Sequence, residues 1–115
     1  MSSGKTIAQA GHAYTETLIQ ALSTDPESAL AYMRLSPGTK IALDGGPEQI
    51  LRHLFEKCTE RGVPCRIVVD SGHVELPDFD GSPVVTALGI GPVSHKVARK
   101  ILSRLPLWHH DGGRK

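Results

Sequence analysis

Two short, mostly apolar runs constrain the fold of this 115-residue chain most strongly. They are CRIVV at residues 65–69 and VVTALGI at residues 84–90, closed by Asp-Ser-Gly and by Gly-Pro respectively. Apolar runs of this length are typical of β-strands that are covered on both faces. Both runs therefore predict buried strands with other elements packed above and below them.

Helical patterns alternate with these two strands. Apolar residues recur at helical spacing in four segments, and the caps Asp25-Pro26 and Gly62 suit helix ends. The predicted helices span residues 5–22, 26–35, 47–61 and 93–105, with further extended pieces at 39–44 and 74–76. Alternating helices and strands predict the α/β class, in layers around a small sheet.

Composition bounds the class of protein. The length suits one domain, which we assign to residues 1–107, with residues 108–115 as a disordered tail. Cys58 and Cys65 lack metal-ligand spacing and are interpreted as reduced core thiols.

Because no apolar run is long enough to span a membrane and the polar start does not suit a secretory signal, we expect no membrane partner and a cytoplasmic protein. Because the net charge is only +1, the chain as a whole would not attract an acidic partner, and such a partner would have to bind a local basic patch.

The stretch SSGKT near the start looks like the end of a phosphate-binding P-loop, but its spacing fails. The first glycine of that motif would lie before Met1, and no strand leads into the loop. What remains is Lys5 in the first turn of a helix, where a cation is mildly unfavourable. A residue that breaks a local rule is a candidate functional residue, with a solvated surface lysine as the alternative.

Three motifs in order resemble one family, the type 2 peptidyl-tRNA hydrolases of archaea and eukaryotes. They are MSSGKTIAQAGHA at the start, VVDSG at 68–72 and TALGIGP at 86–92, and the resemblance covers about residues 1–107. It implies hydrolysis of the ester between peptide and tRNA, so that the tRNA is recycled, without a metal or other cofactor. It also implies a three-layer α/β/α sandwich around a four-stranded mixed sheet, and a homodimer as a possible assembly.

The resemblance also implies the site residues. Lys5, Asp70 and Thr86 take the catalytic positions, and Gln9 and His12 take substrate-binding positions. Asp70 would position or deprotonate a water, Lys5 would stabilise negative charge, and Thr86 would add a hydroxyl. For Asp70 the alternative is a turn-capping carboxylate, and for His12 a packed helix histidine.

The chain departs from the family pattern at two kinds of position. His73 stands where the family has arginine, and Val74 where it has threonine. We expect His73 to contact a phosphate only when protonated. The family also has a strand before its first helix, inside the sheet, and Met1 matches an internal methionine of the pattern. We interpret this as a start assigned too late or a truncated copy, and expect unpaired strand edges as a result.

The last predicted helix carries a basic stripe. No Asp or Glu occurs from Gly81 to His110, and the cations on this segment follow helical spacing: Lys96, Arg99, Lys100 and Arg104. Such a stripe suits the tRNA phosphate backbone without reading bases, although a merely solvated helix face looks the same. The competing functions are a non-catalytic relative that binds protein or RNA, and a different small hydrolase or nucleotide binder.

Overall fold

The computed structural model describes residues 2–35, 37–70, 74–75, 79–80 and 82–109. Three of its four helices begin at a side-chain cap, because the oxygens of Ser2, Asp25 and Ser94 accept backbone N–H groups of the first turn. The helices are α1 (Ser3–Thr24), α2 (Pro26–Met33), α3 (Glu48–Glu60) and α4 (His95–Leu102). The strands are β1 (Cys65–Asp70), β2 (Val74–Glu75), β3 (Phe79–Asp80) and β4 (Val84–Ile90).

The main sheet pairs β1 with β4. The pairing is antiparallel, from Cys65 opposite Ile90 to Asp70 opposite Val84, and β2 pairs with β3 in a separate antiparallel ribbon. The α/β class is confirmed. The resemblance implied a mixed sheet, but both described pairs are antiparallel, because no described strand runs parallel to β1 or β4.

Helices cover the main sheet on both faces. On one face α1 lies so close to β4 that a Cβ on Gly89 would collide with Ala13 O and Thr17 Oγ1. On the other face α3 and α4 enclose the apolar core, which includes Leu54, Cys58, Val63, Cys65 and Ile101. Cys58 and Cys65 are free and buried, as expected. The molecule is therefore a three-layer sandwich with an unusually narrow central sheet.

The strand predicted over residues 39–44 is wrong. Leu43 forms only an isolated antiparallel bridge with Leu107. Two backbone hydrogen bonds flank this bridge: the N–H of Asp44 donates to Pro106 O, and the N–H of Trp108 donates to Ala42 O. Residues 39–44 would form a strand only if they paired with a strand of the main sheet. In the described part of the chain β4 pairs with β1 alone. A groove of about 580 Å³ separates residues 39–43 from the end of β4.

Helix boundaries differ modestly from expectation. α1 starts at Ser3 because Ser2 supplies the cap, and α4 ends at Leu102, so Arg104 lies just beyond the helix. Trp108 is tied to residue 42, whereas residues 110–115 of the predicted tail lie outside the described chain. Among the described residues, none of the helices has the length and apolar character needed to cross a bilayer.

Candidate active site

One end of the main sheet gathers the predicted catalytic residues. Asp70 closes β1 there and is opposite Val84, the first residue of β4. The N-termini of α1 and α3 reach the same end, since Lys5 meets Asp70 and Glu48 meets Val85. Helix N-termini carry partial positive charge, so this end of the sheet favours a negatively charged group.

Lys5 and Asp70 form an ion pair across this end of the sheet. Lys5 Nζ lies 3.0 Å from Asp70 Oδ2, and the two side chains keep 34% and 18% of their surface exposed. Asp70 Oδ2 is itself buried and accepts no hydrogen bond from the described residues, so the contact is an ion pair. The pair is therefore close and partly shielded from water.

Thr86 points toward α1 because β4 bulges at this residue. Val68 is opposite Ala87 and Val69 opposite Val85, so Thr86 has no partner on β1. Strict alternation would place Thr86 on the face of Leu88, which packs against the α3 side. The extra residue instead re-aims its side chain, as bulges beside functional sites often do.

The re-aimed hydroxyl contacts both α1 and β1. Thr86 Oγ1 lies 3.2 Å from Gln9 Oε1 and 3.3 Å from Val68 O, and it donates its single proton to one of them at a time. Gln9 is buried, with 8% of its surface exposed, and stands one turn after Lys5 on α1. Consecutive turns of α1 thus contact Asp70 on β1 and Thr86 on β4.

The start of α1 keeps its positive character. Ser2 Oγ accepts the N–H of Lys5 at 3.2 Å, and none of the described first-turn residues is acidic. Because no carboxylate of that turn offsets the helix dipole, the ammonium of Lys5 adds to the positive end of the helix. Among the described residues, Asp70 is the ion-pair partner of Lys5.

The predicted substrate-binding residues are placed less closely together. His12 lies on α1, one turn beyond Gln9, and is exposed, so the packed-histidine alternative is wrong. His73 lies outside the described residues. The four cations of the basic stripe are all exposed, and α4 follows Ile90 at the opposite end of the sheet from Asp70. At a strand rise of about 3.3 Å per residue, β4 separates the two ends by roughly 20 Å.

Sequence reasoning missed Glu48. Its Oε1 accepts the N–H of Val85 at 3.4 Å, beside the bulge, and its Oε2 accepts from Arg52 Nε at 2.8 Å. The hydrogen bond from Arg52, followed by that from Val85, holds the pKa of Glu48 below its ordinary value. The available signal was a carboxylate directly after Pro47, at the first position of α3.

The arrangement suits acid–base chemistry on an ester more readily than metal chemistry. Across the described ranges, no group of three or more His, Cys, Asp or Glu side chains is placed to hold a metal ion. A carboxylate, an ammonium and a hydroxyl stand together where two helices begin. These are the groups needed to orient a water and to stabilise an oxyanion.

Comparison with known proteins identifies relatives along nearly the whole chain. The family model described as Peptidyl-tRNA hydrolase PTH2 matches residues 1–108. A Peptidyl-tRNA hydrolase of Methanocaldococcus jannaschii is 31% identical over 107 residues, which are 93% of this chain and 89% of the relative. One from Pyrobaculum aerophilum is 33% identical over 109 residues, 94% of this chain and 88% of the relative. The Probable peptidyl-tRNA hydrolase 2 of Dictyostelium discoideum is 32% identical over 108 residues, 94% of this chain and 49% of the relative.

Fold and site together define a small α/β protein whose ion pair and hydroxyl stand at one end of a narrow sheet. The match over residues 1–108 then specifies the family. The chain belongs to the Peptidyl-tRNA hydrolase PTH2 family.

Proposed function

We propose that this protein hydrolyses the ester bond between the peptide and the tRNA of peptidyl-tRNA and so returns the tRNA to translation. The observation that carries the proposal is the 3.0 Å contact between Lys5 Nζ and Asp70 Oδ2. Family membership over nearly the whole chain supports the same substrate. The activity would serve the cytoplasm, where peptidyl-tRNA is made.

In this mechanism Asp70 orients a water against the ester carbonyl and accepts its proton. Lys5, at the positive end of α1, stabilises the oxyanion that develops as the water attacks. The intermediate then collapses, the bond from the carbonyl carbon to the tRNA ribose oxygen breaks, and that oxygen takes the proton held by Asp70. Thr86, held between Gln9 and Val68, contributes a hydroxyl hydrogen bond to the reacting groups. The positive charge comes from the protein itself, so we propose a reaction that needs no metal.

The substrate also has to be held beyond its reacting end. The exposed cations of α4 and Arg104 follow the end of β4 that lies roughly 20 Å, by strand rise, from the end paired with Asp70. We propose that this basic stripe contacts phosphates of the tRNA while the ester enters the site. Gln9 and His12 on α1, and His73, would contact the substrate near the ester.

The test is an assay with labelled peptidyl-tRNA under turnover conditions, with binding of the uncleaved substrate followed in parallel. Hydrolysis by the wild-type protein and loss of hydrolysis with retained binding in Asp70→Asn are the expected results. Binding without hydrolysis by the wild-type protein would contradict the proposal and favour the non-catalytic relative. Sedimentation of the same samples tests the homodimer, which we propose on the resemblance alone.

A further inference from the structure

Glu48 is well placed to control the shape of β4 beside the site. It is the first residue of α3, and its carboxylate accepts two hydrogen bonds, from Val85 N–H at 3.4 Å and from Arg52 Nε at 2.8 Å. Arg52 follows one turn later on the same helix. The carboxylate is therefore held at both oxygens, one toward the sheet and one toward its own helix.

The bond to Val85 falls next to the bulge. Thr86 is the residue of β4 without a partner on β1, so the ladder does not fix its backbone in the usual way. The neighbouring amide of Val85 is instead tied to Glu48 on the α3 side of the sheet. The bond to Glu48 thus fixes the backbone one residue before Thr86, and so limits the directions in which the Thr86 side chain can leave the strand toward Gln9.

We propose that Glu48 is a positioning residue, which holds the bulge of β4 so that the Thr86 hydroxyl reaches Gln9 on α1. This inference rests on the proposed function, because it gives Thr86 its place in that reaction. Arg52 supports Glu48 by fixing the rotamer of its carboxylate. Glu48 itself lies across the sheet from α1 and acts only through β4.

The test is a double-mutant cycle between Glu48 and Thr86 in the peptidyl-tRNA assay. Glu48→Ala should lower kcat about tenfold and leave KM within about twofold, since a misdirected hydroxyl impairs the reaction and not the hold on tRNA. In a Thr86→Ala background the same change should have no further effect, because coupled residues are not additive. Glu48→Gln keeps one acceptor oxygen for the Val85 N–H and loses the contact with Arg52, because its amide nitrogen only donates, and it should restore most of kcat.

The matched control is Glu56→Ala, an exposed carboxylate on the same helix. It should leave kcat and KM unchanged. An undiminished kcat in Glu48→Ala, or a full tenfold loss repeated in the Thr86→Ala background, would overturn the inference. A merely structural role would lower kcat equally in both backgrounds and would not be rescued by Glu48→Gln.

Amide hydrogen exchange keeps the inference separate from the proposed function. The exchange of the Val85 amide should speed up about tenfold in Glu48→Ala and stay unchanged in Glu56→Ala, as expected when a protecting hydrogen bond is lost. This readout needs no substrate. An inactive wild-type protein would contradict the hydrolase proposal alone, whereas unchanged Val85 exchange would contradict the role of Glu48.

Discussion

Lys5 and Asp70 meet at 3.0 Å although they are separated by most of the chain. The contact joins the first turn of α1 to the last residue of β1 and fixes where the helix lies on the sheet. One turn further along α1, Gln9 accepts a hydrogen bond from Thr86 and so joins the helix to β4. The first two turns of α1 therefore both form the site and hold the helix against β1 and β4.

The contribution of the Thr86 hydroxyl to hydrolysis can be separated from that of the branched shape of its side chain. Thr86→Val keeps the branched side chain and removes the hydrogen bond, so we expect kcat to fall about 10- to 100-fold with a small change in melting temperature. Thr86→Ser keeps the hydroxyl and should retain most of the activity. Thr24→Val, an exposed threonine at the end of α1, is the control. Equal rates for Thr86→Val and Thr86→Ser would remove the hydroxyl from the mechanism.

The basic stripe predicts a salt dependence of tRNA binding. Each phosphate contact adds about 0.7–0.9 to the slope of log K against log salt concentration. Replacing Lys96, Arg99, Lys100 and Arg104 by glutamine should therefore flatten the slope and weaken binding at low salt. The double replacement of Lys57 and Arg61, on and after α3, controls for net charge when it is compared with the double replacement of Arg99 and Lys100. A slope that matches the wild-type slope would show that the stripe is only a solvated surface.

The buried thiol of Cys58 predicts a loss of stability at alkaline pH. Burial, followed by the neighbouring Cys65, raises the pKa of Cys58 from 9.0 to about 11. The unfolded chain releases this proton at lower pH than the folded chain does, so the stabilisation is complete below pH 9 and is lost as pH rises toward 11. Between those values the free energy of unfolding should fall by about 1.4 kcal/mol per pH unit from this group.

Urea unfolding in reducing buffer at several pH values measures that loss. Cys58→Ala will be less stable at every pH because it leaves a cavity, so the slopes and not the absolute values are compared. The variant should show the shallower decline between pH 9 and 11. Parallel declines in the two proteins would contradict the assignment to Cys58.

The second edge of β4 predicts that an added strand stabilises the fold. In the described chain β4 pairs only with β1, and large apolar side chains such as Val69 (57% exposed) and Ile41 (54% exposed) remain open to solvent. Unpaired edges and exposed apolar groups promote association. An added strand that pairs with this edge of β4 should therefore raise the melting temperature and reduce aggregation. The test is a thermal melt in which light scattering is followed in parallel to detect aggregation. Equal melting temperatures with and without the added strand would refute this expectation.

The sequence was sufficient for the elements that follow periodicity or carry a motif. Both apolar strands and all four helices lie where apolar spacing and caps placed them, and Lys5, Asp70 and Thr86 were accessible from motifs, but β1 is less buried than expected because Val69 is 57% exposed. The bulge was not, since strict alternation predicts the wrong face for Thr86. Glu48 was also missed, because its partner is a backbone N–H that leaves no pattern in the sequence. Residues 39–44 read as a strand but lack the neighbour that a ladder needs.

Hydrolysis rates of four proteins test the pairing of Lys5 with Asp70 most directly: wild type, Lys5→Ala, Asp70→Asn and the double variant. Lys57→Ala and Glu60→Gln on α3 serve as matched controls and should keep wild-type rates. We expect each single change at the pair to lower kcat more than about 100-fold, and the double variant to be no slower than the slower single variant, because the two groups act as one unit. A wild-type rate of peptidyl-tRNA hydrolysis in either single variant would contradict the account.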